Sequence, residues 1–200
     1  EYAKELYRGL RDAADPFGCE IVGGDTGSWS GKLVVTVTIL GQSSGIKPVT
    51  RGGARPGDAI YVTGPLGGSI LGRHMTFTPR VLLGRSLAGT GTASAMIDLS
   101  DGLSRDLPHI CRESNVAAVV EAVLVPVHED AIEMRRDGHS PLEHALHDGE
   151  DYELLFTSAD QSLSFPPCQR IGRIITGQGV WIETATQCEP LEPKGWEHTL

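Results

Sequence analysis

The sequence predicts a mixed α/β chain of the α+β kind, built as two domains, and three observations carry that prediction. Short β-prone runs alternate with segments whose apolar residues recur at helical spacing. A loop rich in Gly, Ser, Pro and Arg, Gln42 to Pro56, breaks the pattern where a domain boundary belongs. Acidic residues stand beside glycine next to three of the strands. The division expected is therefore residues 1–56, a first domain with its linker, and residues 57–200, a second α+β domain.

Ala3, Leu6, Tyr7, Leu10 and Ala14 repeat at helical spacing, and Pro16 with Gly18 stops that helix. A short strand, Glu20-Ile21-Val22, then delivers Gly24 and Asp25. Leu33 to Ile39 alternates apolar with smaller or polar groups and is predicted to be a partly buried strand. Beyond the loop, Ala59 to Thr63 is predicted as a strand ending on Gly64-Pro65-Leu66-Gly67-Gly68-Ser69. That turn lacks the Lys-Ser/Thr ending of a Walker loop, so its glycines are assigned to close strand-to-helix packing.

Val81, Leu82, Arg85 and Leu87 mark a helix, and Ser94 to Ile97 a buried strand. Leu103, Leu107, Ile110 and Cys111 mark the next helix. Val116 to Val125 is strongly β-prone, with Pro126 placed to open a following helix. Helical segments through Ile132 and Met134, then Leu142, Ala145 and Leu146, are broken by Gly138 and Pro141. Strands at Tyr152–Thr157, Arg170–Ile175 and Val180–Thr184 complete the chain. His139, His144 and His147 fit no H-E-x-x-H pattern and are expected to be solvated.

A net charge of −9 with scattered Lys and Arg argues against nucleic acid and against an anionic membrane surface. The four cysteines, Cys19, Cys111, Cys168 and Cys188, have no C-x-x-C spacing, and no signal peptide or spanning apolar run is seen. A reducing cytoplasm is the expected location. An acidic protein that handles phosphates needs cations between the two, which makes metal ions a physical requirement of any such activity.

The stretch richest in chemistry is Ile97-Asp98-Leu99-Ser100-Asp101-Gly102-Leu103, where two carboxylates and a hydroxyl fall between a strand and a helix. Mg²⁺ prefers carboxylate oxygens, keeps several waters and bridges to phosphates, and helix N-terminal amides add partial positive charge. The alternative is plain capping, with Ser100 as N-cap and Asp101 in the first turn. Gly23-Gly24-Asp25-Thr26-Gly27 and Asp148-Gly149-Glu150-Asp151 repeat the pairing of acid and glycine, where a compact backbone permits close approach of a ligand.

These segments resemble thiamine-monophosphate kinase, of the superfamily that includes aminoimidazole ribonucleotide synthetase and selenophosphate synthetase. The likeness runs through Gly23-Gly24-Asp25-Thr26, Arg51 to Asp58, Val62 to Gly67, Asp98 to Leu103, Glu150 to Phe156 and Gly195-Trp196-Glu197-His198. The glutamate run and the terminal tryptophan favour the thiamine enzyme over its relatives. The resemblance implies a two-domain synthetase-like architecture with an incomplete N-terminal domain, since the chain opens at Glu1 without the family's first segment and its Asp-Asp pair. Residues 1–56 would then be the end of the N-terminal ATP- and metal-binding domain, and the intact protein a homodimer.

The implied reaction moves the γ-phosphoryl of ATP to thiamine monophosphate with Mg²⁺, giving thiamine diphosphate. The resemblance implies Asp25, Asp98 and Asp101 as metal ligands, Gly24, Asp25, Arg51 and Ser100 as nucleotide contacts, and Glu150 and Trp196 as substrate contacts. No protein nucleophile or general base is expected, because a phosphate monoester with a second pKa near ~6 is largely dianionic at neutral pH. Another ATP-dependent enzyme of the superfamily, or a non-catalytic nucleotide-binding fragment, is the competing assignment. Gly27 after Gly-Gly-Asp-Thr, His147-Asp148 before Gly-Glu-Asp, and a short segment from Gly72 to Arg80 depart from the family pattern.

Overall fold

A computed structural model describes residues 1–43, 45–134, 137–163 and 167–194. The chain divides into two compact units, Glu1–Gln42 and Ser43–Leu200. In the first, helix α1 (Tyr2–Ala14) turns through a 3₁₀ step at Asp15–Phe17 and stops at Gly18, whose φ of 63° suits glycine. Leu6, Leu10 and Ala14 form its half-buried stripe.

The strands expected at Glu20–Val22 and Leu33–Ile39 are absent among the described residues, and Leu33, Val34, Val35, Val37 and Ile39 are exposed. The alternation is real, but β-propensity measures fit to a pleated, half-buried surface. Without a paired neighbour these residues gain neither ladder hydrogen bonds nor cross-strand contacts.

The second unit is built on a seven-stranded sheet in the order β2-β4-β1-β5-β3-β6-β7. Its strands are β1 (Ala59–Val62), β2 (Ala95–Asp98), β3 (Ala117–Glu121), β4 (Leu154–Ser158), β5 (Gln169–Ile175), β6 (Val180–Glu183) and β7 (Cys188–Pro190). All neighbours are antiparallel except the parallel pair β3 and β6. Between the strands lie α2 (Val81–Thr90), α3 (Leu103–Ser114), α4 (Glu129–Met134) and α5 (Pro141–His147).

At β1 both faces of the sheet are covered. Alternate residues of β1 show this: Ile60 and Val62 join the larger core with Leu103, Leu107 and Ile110 of α3 and Leu146 of α5. Ala59 and Tyr61 join a smaller core with Phe156 and with Leu87 of α2. A strand buried on both sides reads as an unbroken apolar run, which is why Ala59 to Val62 does not alternate.

Local chemistry sets several boundaries. Pro141 takes the first turn of α5 behind a capping box made by Ser140 and Glu143. Pro126 does not open a helix. Its carbonyl accepts from Leu66 N–H, His128 N–H donates to Leu66, and α4 starts only at Glu129, because residues 126–128 are held extended beside the glycine-rich turn. β7 has no β-signature of its own and forms by pairing with β6. Among the described residues no helix is long and apolar enough to cross a membrane.

Candidate functional site

The corner after β2 is fixed from both sides. Leu99, fully buried, donates its N–H to Glu153 and accepts from Tyr152, so the chain leaves the strand locked to the segment before β4. Gly102, at φ 104°, opens α3, and a Cβ there would lie 3.0 Å from the His147 carbonyl oxygen. Only glycine allows the corner and the 147–149 segment to approach this closely.

Ser100 does not cap α3, contrary to the capping alternative. The amides of Asp101 and Gly102 instead donate to Oδ2 of Asp106, at 3.0 and 3.1 Å. The helix folds its own carboxylate back onto the turn, which leaves the side chains of Ser100 and Asp101 out of the capping arrangement. Asp106 is 2% exposed, and burial first, then the nearby charges of Asp101 and Asp98, pushes its carboxyl up to about 6. Sequence reasoning missed it. Its signal was an acid in the first turn of a helix that opens on glycine.

A strap along β2 brings in Arg51. Met96 N–H donates to the Thr50 carbonyl at 3.0 Å, and Ser114 at the end of α3 receives the amides of Gly53 and Ala54 while donating to Arg51 O. Arg51, Asp98, Ser100, Asp101, Asp106 and His109 thereby line one cavity of about 680 Å³. Burial, then Arg112 and Arg51, hold His109 below the usual imidazole range, and its Nδ1 receives Nη2 of Arg112 at 2.6 Å. Arg51 lines the same cavity as Asp98 and Asp101, a combination suited to a polyphosphate bound together with cations.

The acidic run before β4 separates into two sets. Asp148 accepts from Gly68 N–H and Asp151 from Gly67 N–H, both at 2.9 Å, and Glu153 accepts from Thr63 and Arg80. These acids hold the glycine-rich turn, whose expected packing role is what the structure shows: a Cβ on Gly67 would lie 2.6 Å from the backbone nitrogen of Ala145. Glu150 and Tyr152 form the other set. Glu150 N–H donates to Ser100 O and Tyr152 N–H to Leu99 O, both at 2.8 Å, so these residues face the corner strand. Both are left-handed, at φ 54° and 52°, a conformation that costs a side-chain-bearing residue roughly 1–2 kcal/mol. Burial first, then Glu150, Asp98 and Asp101, raises the Tyr152 phenol above its usual range.

The histidines divide as well. His139 is exposed as expected, but His144 is 3% exposed, with Nδ1 3.0 Å from Asp148 and Nε2 3.4 Å from Asp137. The helix start at Pro141 turns it inward against the glycine turn, where Asp148 holds Nδ1 while Nε2 is buried without a hydrogen bond among the described residues. His147, half-buried, meets Ser104 Oγ at 2.9 Å.

Asp151 provides a pH test of this arrangement. Burial pushes its carboxyl up to about 7, against the opposing pull of Gly67 N–H and Arg73. The folded value lies above the unfolded one of roughly 4, so the native state binds more protons between the two and stability falls as pH rises through that window. Asp151→Asn, which keeps an acceptor for Gly67, is expected to flatten the fall in melting temperature between pH 4 and 7. An unchanged slope would show that Arg73 holds the carboxylate ionised throughout.

The family model for AIR synthase related protein, N-terminal domain, matches residues 1–43. The chain is 39% identical to a thiamine-monophosphate kinase of Rhodopirellula baltica, over 99% of this chain and 65% of that protein. It is 32% identical to one of Aquifex aeolicus, over 98% of this chain and 69% of that protein. The solved structure of AaThiL complexed with AMPPCP and TMP is 30% identical, with a TM-score of 0.65, over 76% of this chain and 54% of that one. The hydrogenase maturation protein HypE in complex with ATP, 19% identical with a TM-score of 0.56, shares the fold. Sheet, corner and matches together define a protein of the AIR-synthase-related fold. Within it, the chain belongs to the thiamine-monophosphate kinase family, and it spans about two thirds of the curated relatives it matches.

Of the expected site residues, Arg51, Asp98, Ser100 and Asp101 share the cavity, and Glu150 is tied to Ser100 by its backbone. Gly24 and Asp25 lie in the first unit, where Asp25 Oδ1 accepts from Thr26 N–H at 2.9 Å. Trp196 lies outside the described residues. Among the described residues, no group of three or more His, Cys, Asp or Glu side chains is arranged to hold a metal ion.

Proposed function

We propose that the protein transfers the γ-phosphoryl of ATP to the phosphate of thiamine monophosphate, giving thiamine diphosphate. The observation that carries this is the convergence of Arg51, Asp98, Ser100 and Asp101 on one cavity, in a chain of the thiamine-monophosphate kinase family. Its solved relative AaThiL was complexed with AMPPCP, an ATP analogue, and TMP, which supports the pair of substrates.

Asp98 and Asp101 are exposed carboxylates on the wall of an open cavity. Two hard oxygen donors with room beside them fit Mg²⁺, which keeps waters and takes further oxygens from phosphate, better than a closed cage would. When bound, Mg²⁺ neutralises charge on the transferring phosphoryl group and its leaving group. Arg51 offers a fixed fork of donors to phosphate oxygens, and Ser100 a hydroxyl beside them. Gly24 and Asp25, in the first unit, are proposed as nucleotide contacts, with Asp25 also a metal ligand. Glu150 and Trp196 receive the acceptor, a carboxylate and an aromatic face for its thiazolium.

Residues 1–56 form the end of an N-terminal ATP- and metal-binding domain with its linker, and residues 57–200 the synthetase-like domain. Two copies pair through the N-terminal domains, and the protein works in the cytoplasm. In assays of the intact protein, ATP with thiamine monophosphate is expected to give ADP and thiamine diphosphate, and EDTA to abolish both turnover and calorimetric ATP binding. Equal ATP affinity with and without EDTA would rule out the metal role. Turnover of ATP with a different acceptor, and none with thiamine monophosphate, would rule out the substrate.

A further inference from the structure

The second unit carries two stacked aromatic pairs, and they differ in where they sit. Tyr61 and Phe156 stack at 5.2 Å with both residues fully buried in the smaller core. Phe77 and Tyr152 stack more closely, with ring centroids 4.1 Å apart and planes 17° from parallel, yet neither ring belongs to either apolar core and Phe77 is 38% exposed. Tyr152 is also left-handed, at φ 52°, with its N–H donated to Leu99. Backbone strain of this kind persists where a side chain must be aimed.

The surroundings of Tyr152 are acidic, with its hydroxyl in the field of Glu150, Asp98 and Asp101. An electron-rich ring face with carboxylates beside it attracts a flat cation, and a desolvated contact of that kind contributes up to ~2 kcal/mol. We propose that Tyr152, with Phe77 stacked behind it, is the face against which the cationic ring of the acceptor lies, with Glu150 as its counter-charge. The inference rests on the reading of the acceptor as thiamine monophosphate, and it makes Tyr152 a specificity-determining residue for the ring.

The test measures steady-state kinetics of the intact protein with Tyr152→Leu, Phe77→Leu and Tyr152→Phe. Tyr152→Leu is expected to raise KM for thiamine monophosphate about tenfold, and Phe77→Leu to raise it less, with KM for ATP near wild type. Tyr152→Phe keeps the ring face and is expected to restore most of the loss. As an inhibitor, 4-methyl-5-(2-phosphoethyl)thiazole, which carries the phosphate on an uncharged ring, is expected to lose far less affinity to Tyr152→Leu than thiamine monophosphate does. Equal losses for charged and uncharged rings, an equal rise in KM for ATP, or a Tyr152→Phe protein as impaired as Tyr152→Leu would each overturn the inference. Wild-type turnover of thiamine monophosphate with an unimpaired Tyr152→Leu would overturn the inference alone, whereas a wild type that binds no thiamine monophosphate overturns the functional reading with it.

Discussion

Asp98→Asn is expected to weaken metal-dependent ATP binding by at least roughly 10- to 100-fold, the range that outer-shell partners of a metal already command. The isostere keeps the shape of the side chain and removes its charge, so the change isolates electrostatics from packing. Asp98 ends β2 with its side chain exposed, and its backbone pairs with Leu154 whatever the side chain is. Surface substitutions of this sort shift stability by only about 0.5 kcal/mol or less, so the melting temperature should stay near that of the wild type. Calorimetry with ATP at fixed and varied Mg²⁺ separates the outcomes. Lower stability with unchanged nucleotide affinity would make Asp98 a structural residue.

The largest effect on folding is expected at Arg80. Its guanidinium grips both oxygens of Glu153, a side chain 7% exposed that also accepts from Thr63. Arg80→Ala strands that carboxylate without its counter-ion, a lesion on the scale of 3–5 kcal/mol for buried pairs. Because Arg80 is itself 36% exposed, water recovers part of the loss and about 3 kcal/mol is the expected figure. Urea unfolding followed by circular dichroism reads this directly. Adding Glu153→Gln to Arg80→Ala should recover stability, since the stranded charge is then gone, and a double variant no more stable than Arg80→Ala would assign the loss to packing of the arginine stem.

The pattern of success in reading the chain follows the range of the forces involved. Helices α1 through α5 and strands β1 through β6 are written in local periodicity, and the Asp98–Asp101 corner follows once a strand is seen to hand over to a helix. What could not be read depends on distant partners. Leu33–Ile39 has the composition of a strand but no pairing, while Cys188–Pro190 has pairing without the composition. Asp148, Asp151 and Glu153 look like Glu150 in sequence, and only the arrival of Gly67, Gly68, Thr63 and Arg80 shows that their side chains are braces, whereas Glu150 meets the turn through its carbonyl, which accepts from Ser69. His144 could not be placed inside without knowing that α5 packs against the glycine turn. Asp106 would require knowing in advance that Ser100 declines the cap.

The strap from Val49 to Gly53 also has a consequence for solubility. β2 is an outermost strand of the sheet, and an uncovered strand edge is a template for aggregation. The backbone of Thr50 occupies part of that edge, and the next residue is the arginine that completes the cavity. Shielding the edge and furnishing the site are therefore one stretch of chain. Deletions and loop grafts here cannot separate the two: losing the strap removes the cavity's arginine and bares the β2 edge in the same event.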